Sequence, residues 1–174
     1  VNINALHLQQ PNFVERLKII LNQFPDIEPK YLELEILETS ALSDISFVST
    51  IIDICQSIGV RFSLDDFGTG YSSLSYLKRL PAKILKIDQS FIRDMLEDSD
   101  DLAIIQGIVG LASAFGRDVI AEGVETLEHG EKLLSMGCVQ AQGYGIARPM
   151  PANEMPAWAQ AWPPKIEKHH NDDL

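Results

Sequence analysis

Segments whose apolar residues fall at every second position alternate along this 174-residue chain with segments whose apolar residues recur every three to four. Few folds accept that rhythm. Tyr31 to Leu37 sets Leu32, Leu34 and Ile36 against Glu33 and Glu35, the alternation of a strand. Pro11 to Phe24 carries Phe13, Leu17, Ile20 and Leu21 at helical spacing, with Pro11 near the first turn, where it is tolerated. Further helices are predicted over Ile45 to Ile58 and Leu127 to Met136, stopped by Gly59 and Gly137. Others are expected over Ser73 to Leu80 ahead of Pro81, over Phe91 to Leu96, from the acidic run Glu97 to Asp101 through Phe115, and over Ala152 to Trp162. Strands fall at Val60 to Leu64, Ile84 to Ile87, Val119 to Ala121 and Val139 to Gln142, and the opening residues Val1 to Asn4 alternate like one. Short links between unlike elements demand parallel strands with helical crossovers. About six strand-helix units are visible where a closed (β/α) TIM-type barrel needs eight, so the expected fold is α/β, an incomplete barrel, with an open doubly wound sheet as the alternative.

What ends each strand favours the barrel. In order these are Asn2 or Asn4, Glu35, Asp65 with Asp66, Lys86 with Asp88, Glu122 and Gln142. Parallel strands bring their C-terminal ends to one face, where barrels hold their sites. An open sheet gathers its site at one switch point and would not draw a polar residue from every strand. The densest stretch is Leu64-Asp65-Asp66-Phe67-Gly68-Thr69-Gly70. Strand side chains alternate faces, so both acids aim at one centre only if Asp66 lies just past the strand end, where Gly68 and Gly70 let the chain turn. Alone, the stretch reads as an acidic cap and a turn. In company with Glu35 and Glu122 it reads as a site of hard oxygen donors, suited to magnesium or manganese rather than structural zinc. Two such ions sharing a carboxylate, for which Asp65 is the natural bridge, are the usual device for splitting a phosphodiester. Lys86 lies in an apolar strand and needs acidic neighbours, because an unpaired buried ammonium is costly. It would polarise the attacking water, or simply pair with Asp88 or Asp65. A Schiff-base role is disfavoured, because surrounding acids keep an amine protonated.

A net charge of -11 and a pI near 4.7 argue against a groove for duplex DNA or RNA lined with lysine and arginine. Cys55 and Cys138 lack metal-ligand spacing and read as reduced core thiols of a cytoplasmic protein. No apolar run approaches a membrane-spanning length, though a parent protein could be anchored through another domain. His7, His129 and the pair His169 and His170 have no partner in sequence that makes them catalysts, and Trp158 and Trp162 are expected to pack the last helix. The expected division is one domain over 1–162 and a polar tail over 163–174.

Six separated motifs in order resemble the EAL family of cyclic-di-GMP phosphodiesterases. They are Val1-Asn2-Ile3, Leu34-Glu35-Ile36-Leu37-Glu38, the stretch from Leu64 through Ser73, Leu85-Lys86-Ile87-Asp88, Ile120-Ala121-Glu122-Gly123-Val124-Glu125, and Gln142-Gly143-Tyr144. The resemblance runs from Val1 to about Met150. It implies that Asn2, Glu35 and Asp65 bind one metal ion and Asp65, Asp66 and Glu122 a second, Mg2+ or Mn2+. It further implies that Lys86 contacts the nucleophilic water, that Glu125 and Gln142 contact the substrate, and that Glu38 anchors the glycine loop. The implied reaction is hydrolysis of cyclic-di-GMP to linear pGpG in bacterial signalling, by a homodimer whose parent carries an upstream sensory or GGDEF domain.

Two departures stand out. Leu37 occupies a position where the family usually has threonine, and the segment with the Glu-Ala-Leu signature, which supplies a metal ligand and a substrate-binding arginine, is not in this sequence. The chain starts in mid-pattern, as if cut, so weak activity and self-association of this exact chain are expected. The alternative function is a catalytically weak or inactive EAL module that binds cyclic-di-GMP or a partner as a regulator. An unrelated magnesium-dependent barrel enzyme acting on a small carboxylate is a further reading.

Overall fold

The computed structural model describes residues 1–37, 45–70 and 74–162. Five parallel strands, β1 (Glu33–Leu37), β2 (Arg61–Phe67), β3 (Ile84–Ile87), β4 (Asp118–Ala121) and β5 (Gln140–Ala141), stand side by side in chain order. Helices α1 (Ala5–Leu8) and α2 (Phe13–Gln23) precede β1. The crossovers are α3 (Ile45–Ser57), α4 (Leu74–Arg79), the pair α5 (Gln89–Asp94) and α6 (Ser99–Ala114), and α7 (Leu127–Ser135); α8 (Met155–Ala161) follows β5. A doubly wound sheet reverses its strand order at a switch point. Here the order never reverses, and the N-terminus adds a sixth position beyond β1, so the arrangement is that of a barrel. The predicted first strand is reduced to one parallel bridge, Asn2 with Glu35, flanked by Glu35 N donating to Val1 O and Ile3 N to Glu35 O, each at 2.9 Å. Asn4 then turns the chain into α1, its Oδ1 accepting from Leu6 N at 2.8 Å, which leaves Asn2 as the residue at the strand end.

Period-two alternation sorts the strand side chains. Leu34, Ile36, Phe62, Leu64, Leu85 and Ile87 join one buried cluster with Leu17, Val48, Ile52, Ile105, Ala112 and Leu133 from the helices. Each such burial is worth about 1.5–3 kcal/mol, enough to hold every strand in register. Cys55 and Cys138 are free thiols in that cluster. Burial, against a smaller opposing effect of Lys18, pushes the Cys55 thiol up to about 11. The opposite strand face carries Glu35, Ser63, Ile84, Lys86 and Ile120, placed together by the pairings Glu35 with Ser63, Ser63 with Ile84 and Lys86 with Ile120. A residue of defined register thus delivers each charged side chain to its place.

One expectation fails instructively. The strand does not end before Asp66; β2 runs on through Phe67. Leu64 pairs with Leu85 and Phe67 with Ile87, so three steps along β2 match two along β3, and one residue is extra. That bulge is where Asp66 adopts φ 54°, the only positive φ of a non-glycine residue among those described. A bulge breaks the alternation and re-aims a side chain, and aspartate enters the left-handed region more readily than most residues. The carbonyl of Asp66 is held by Thr69, whose N and Oγ1 donate to it at 3.3 and 2.9 Å. Gly68, at φ 104°, completes the turn. The two acids therefore share a centre because of a bulge inside the strand.

Candidate metal and phosphodiester site

Lys86, 4% exposed, sits at the middle of the strand ends. Its Nζ lies 2.7 Å from Glu122 Oε1, 2.8 Å from Asp65 Oδ1 and 3.2 Å from Glu35 Oε1. Burial alone would lower its pKa, but the hydrogen bonds and charges of Asp65 and Glu122 outweigh that and hold the ammonium above its ordinary range. The expected pairing with Asp65 is present; the one with Asp88 is not. Asp88 instead caps α5, accepting from Ser90 N at 2.8 Å and from the Ser90 hydroxyl, because the chain turns into a helix directly after β3.

Asp66 and Asp88 share a hydrogen bond. Asp66 is pushed up by burial, by that bond and by the charge of Asp65. Asp88 is held down despite its burial by the Ser90 hydroxyl and amide and by Asp66. Burial also raises Glu122, against the opposing pull of Lys86. Ligand oxygens of Asp65, Asp66 and Glu122 lie within 4.8 Å of one another, which is a grouping able to hold a metal ion.

The donor set fits a hard cation. Four carboxylates, from Glu35, Asp65, Asp66 and Glu122, face one ammonium, and a divalent ion would cancel the excess. Asn2 completes the group on the Glu35 side. Turned with its nitrogen inward, its amide donates to Glu35 Oε2 at 3.2 Å and Asp65 Oδ2 at 3.3 Å; turned the other way, it offers an oxygen to the same spot. The amide can thus hydrogen-bond the acids when no cation is bound, or ligate one that is.

The other side of the site is a cavity of about 650 Å³ whose lining includes Glu122, Glu125, Gln142, Tyr144, Arg148 and Trp158. Gln142 Nε2 donates to Glu122 Oε1 at 2.5 Å, which ties the end of β5 to that of β4. The two following segments are laminated backbone to backbone: Val124 N donates to Gln142 O at 3.0 Å and Gly145 N to Val124 O at 2.9 Å. A Cβ on Gly143 would fall 2.2 Å from Val124 O. Below this loop His129 bridges two elements, with Nδ1 2.7 Å from Thr126 Oγ1 and Nε2 3.3 Å from the Arg93 carbonyl.

The structure therefore brings together Asn2, Glu35, Asp65, Asp66, Lys86 and Glu122, and places Glu125 and Gln142 on the adjoining cavity. Glu38 lies outside the described residues, as does the tail 163–174. Leu37 is 44% exposed and in register with Asp65. Trp158 is half-buried: the ring lines the cavity while stacking on Trp162, centroids 5.5 Å apart, and Trp162 caps the end of α8. Sequence reading also missed Arg148, whose guanidinium lies over the Tyr144 ring, 4.7 Å from its centroid. The spacing of four residues after Tyr144 was the available signal, but in an irregular segment such spacing has no fixed meaning.

The model of the EAL domain family matches residues 1–149. The bifunctional diguanylate cyclase/cyclic di-GMP phosphodiesterase MucR of Pseudomonas aeruginosa is 43% identical over 155 residues, which cover 89% of this chain and 22% of MucR. The chain thus spans about a fifth of that relative. The solved structure of the MucR phosphodiesterase in complex with c-di-GMP superposes with a TM-score of 0.83 over 89% of this chain and 62% of that one. The EAL domain of Mycobacterium smegmatis DcpA, 38% identical, gives 0.86 over 94% and 73%. A manganese/cy-diGMP complex of Klebsiella pneumoniae BlrP1, 31% identical, gives 0.78 over 86% and 38%. With a family match over most of its length and a strand-end site built from the six motifs, the chain belongs to the EAL domain family.

Proposed function

We propose that this chain carries most of the active site of a metal-dependent phosphodiesterase that hydrolyses cyclic-di-GMP to linear pGpG. The observation that carries the reading is the convergence of Glu35, Asp65 and Glu122 on a buried Lys86, with Asp66 brought beside them by a bulge. Water adds across one P–O3′ bond, leaving a 5′-phosphate on one nucleotide and a free 3′-hydroxyl on the other. Two ions, Mg2+ or Mn2+, would supply water activation and charge neutralisation when bound to Asn2, Glu35, Asp65, Asp66 and Glu122. Lys86, kept protonated by its acids, acts as a hydrogen-bond donor and cannot take the proton of the attacking water. That task falls to the carboxylates around it. Gln142 orients Glu122, and Glu125 faces the substrate from the cavity wall. The glycine loop after Asp66 would exclude bulk water.

No helix among the described residues is long and apolar enough to cross a membrane, and the reading places the domain in the cytoplasm. Dimeric assembly and an upstream sensory or cyclase domain belong to the same proposal. The test is chromatographic: incubate the protein with cyclic-di-GMP and manganese beside an Asp65→Asn control and look for pGpG. Product that vanishes in the control supports the reading; absence of product together with absence of cyclic-di-GMP binding overturns it, and binding without product makes the chain a regulatory module.

A further inference from the structure

The cavity is lined by two unlike sets of side chains, and the proposal above uses only one. Glu122, Glu125 and Gln142 are the first; Tyr144, Arg148 and Trp158 are the second. Arg148 is the only cationic residue lining it among those described, in a chain of net charge -11. No carboxylate pairs with its guanidinium among the described residues. Instead the guanidinium lies over Tyr144, 4.7 Å from the ring centroid. A guanidinium held over an aromatic ring keeps its N–H edge free and its fork oriented. The cavity, at about 650 Å³, is in the range of about 300–1,000 Å³ that encloses ligands of this order of size, and the Trp158 ring supplies a flat apolar surface.

From this we infer that Arg148, steadied by Tyr144, is a specificity-determining residue that reads the O6/N7 edge of a guanine bound against this second set. The inference rests on the proposed cyclic-di-GMP reading. A phosphate would be drawn to the divalent ions proposed among the acids around Lys86, whereas a planar base fits a surface built of a stacked fork and an indole. Guanine offers two acceptors, O6 and N7, to a two-pronged donor. Adenine offers N7 and an amino donor, which an arginine cannot accept. Tyr144 is a positioning residue: it holds the fork and needs no bond of its own to the base.

The test is equilibrium binding of three cyclic dinucleotides to the chain and its Arg148→Ala and Arg148→Lys variants, with calcium present. Cyclic-di-IMP keeps O6 and N7; cyclic-di-AMP lacks O6. Arg148→Ala should weaken cyclic-di-GMP and cyclic-di-IMP on the order of ten- to a hundred-fold and leave cyclic-di-AMP nearly unchanged. Arg148→Lys should restore only part of the preference, because a lysine can donate to O6 and N7 but lacks the planar fork. Equal weakening of all three ligands would overturn the inference in favour of a phosphate contact, as would no weakening at all. If the unsubstituted chain binds none of the three, the functional reading itself fails, an outcome distinct from unaltered preference in the variants.

Discussion

The two ends of the same strands carry charge in opposite ways. At the C-terminal ends, acids from β1 and β2 and one directly after β4 converge on one lysine from β3, and their side chains are 13–22% exposed against 4% for Lys86. At the N-terminal ends, Arg61, Lys83 and Asp118 surround a smaller cavity of about 160 Å³ and remain exposed. Arg61 meets Glu33 only at 3.9 Å, with half its side chain in solvent, and Gln56 Nε2 satisfies the Pro81 carbonyl. Charge is therefore not what distinguishes the functional end; desolvated convergence is. A solvated pair at a strand start contributes little, whereas four acids around a buried lysine stay together only because the sheet's register forces them to.

Removing the cation on one end and its counterpart on the other sharpens this contrast most. Lys86→Met in the metal-free protein should cost about 3–5 kcal/mol at neutral pH, the penalty of stranding buried partner charges, read by urea unfolding. The loss should shrink as acid neutralises the carboxylates. With its pKa raised, Lys86 contributes stability that is complete below the ordinary lysine value of 10.5 and is lost as pH rises through its higher folded value, so this alkaline loss should be absent in the variant. Asp65→Asn should reduce metal-dependent turnover by more than about a hundred-fold, beyond what losing an outer hydrogen-bond partner costs; retained turnover would remove Asp65 from the centre. Gly143→Ala must push a Cβ into the Val124 carbonyl. It should cost about 1–3 kcal/mol by overpacking and weaken ligand binding through displacement of Gln142, both measurable by titration calorimetry and thermal melting. Smallest of all, Lys83→Met should shift stability by less than about 0.5 kcal/mol and leave turnover unchanged. A large effect there would break the comparison.

Much of this was legible before any coordinates. The strands β1 and β3 fall within or on the segments where Leu34, Ile36 and Ile84 to Ile87 announced them, since local alternation and burial agree there. Lys86 demanded acidic company because no apolar strand tolerates a bare ammonium. Less legible were the ends: the second strand was expected to stop at Leu64, but its pairing with β3 carries it to Phe67. A bulge is a mismatch between two strands and leaves no mark in either alone.

The order of unlike elements, the polar residue closing each strand and the excess of acid are properties of the chain itself, because period and charge are local. Which acids meet Lys86, that Asp88 turns away to cap a helix, and that Asp66 joins its neighbour at a bulge were decided only by tertiary structure. Those outcomes depend on register between strands distant in sequence, and on the few tenths of a nanometre over which a desolvated charge finds one partner rather than another.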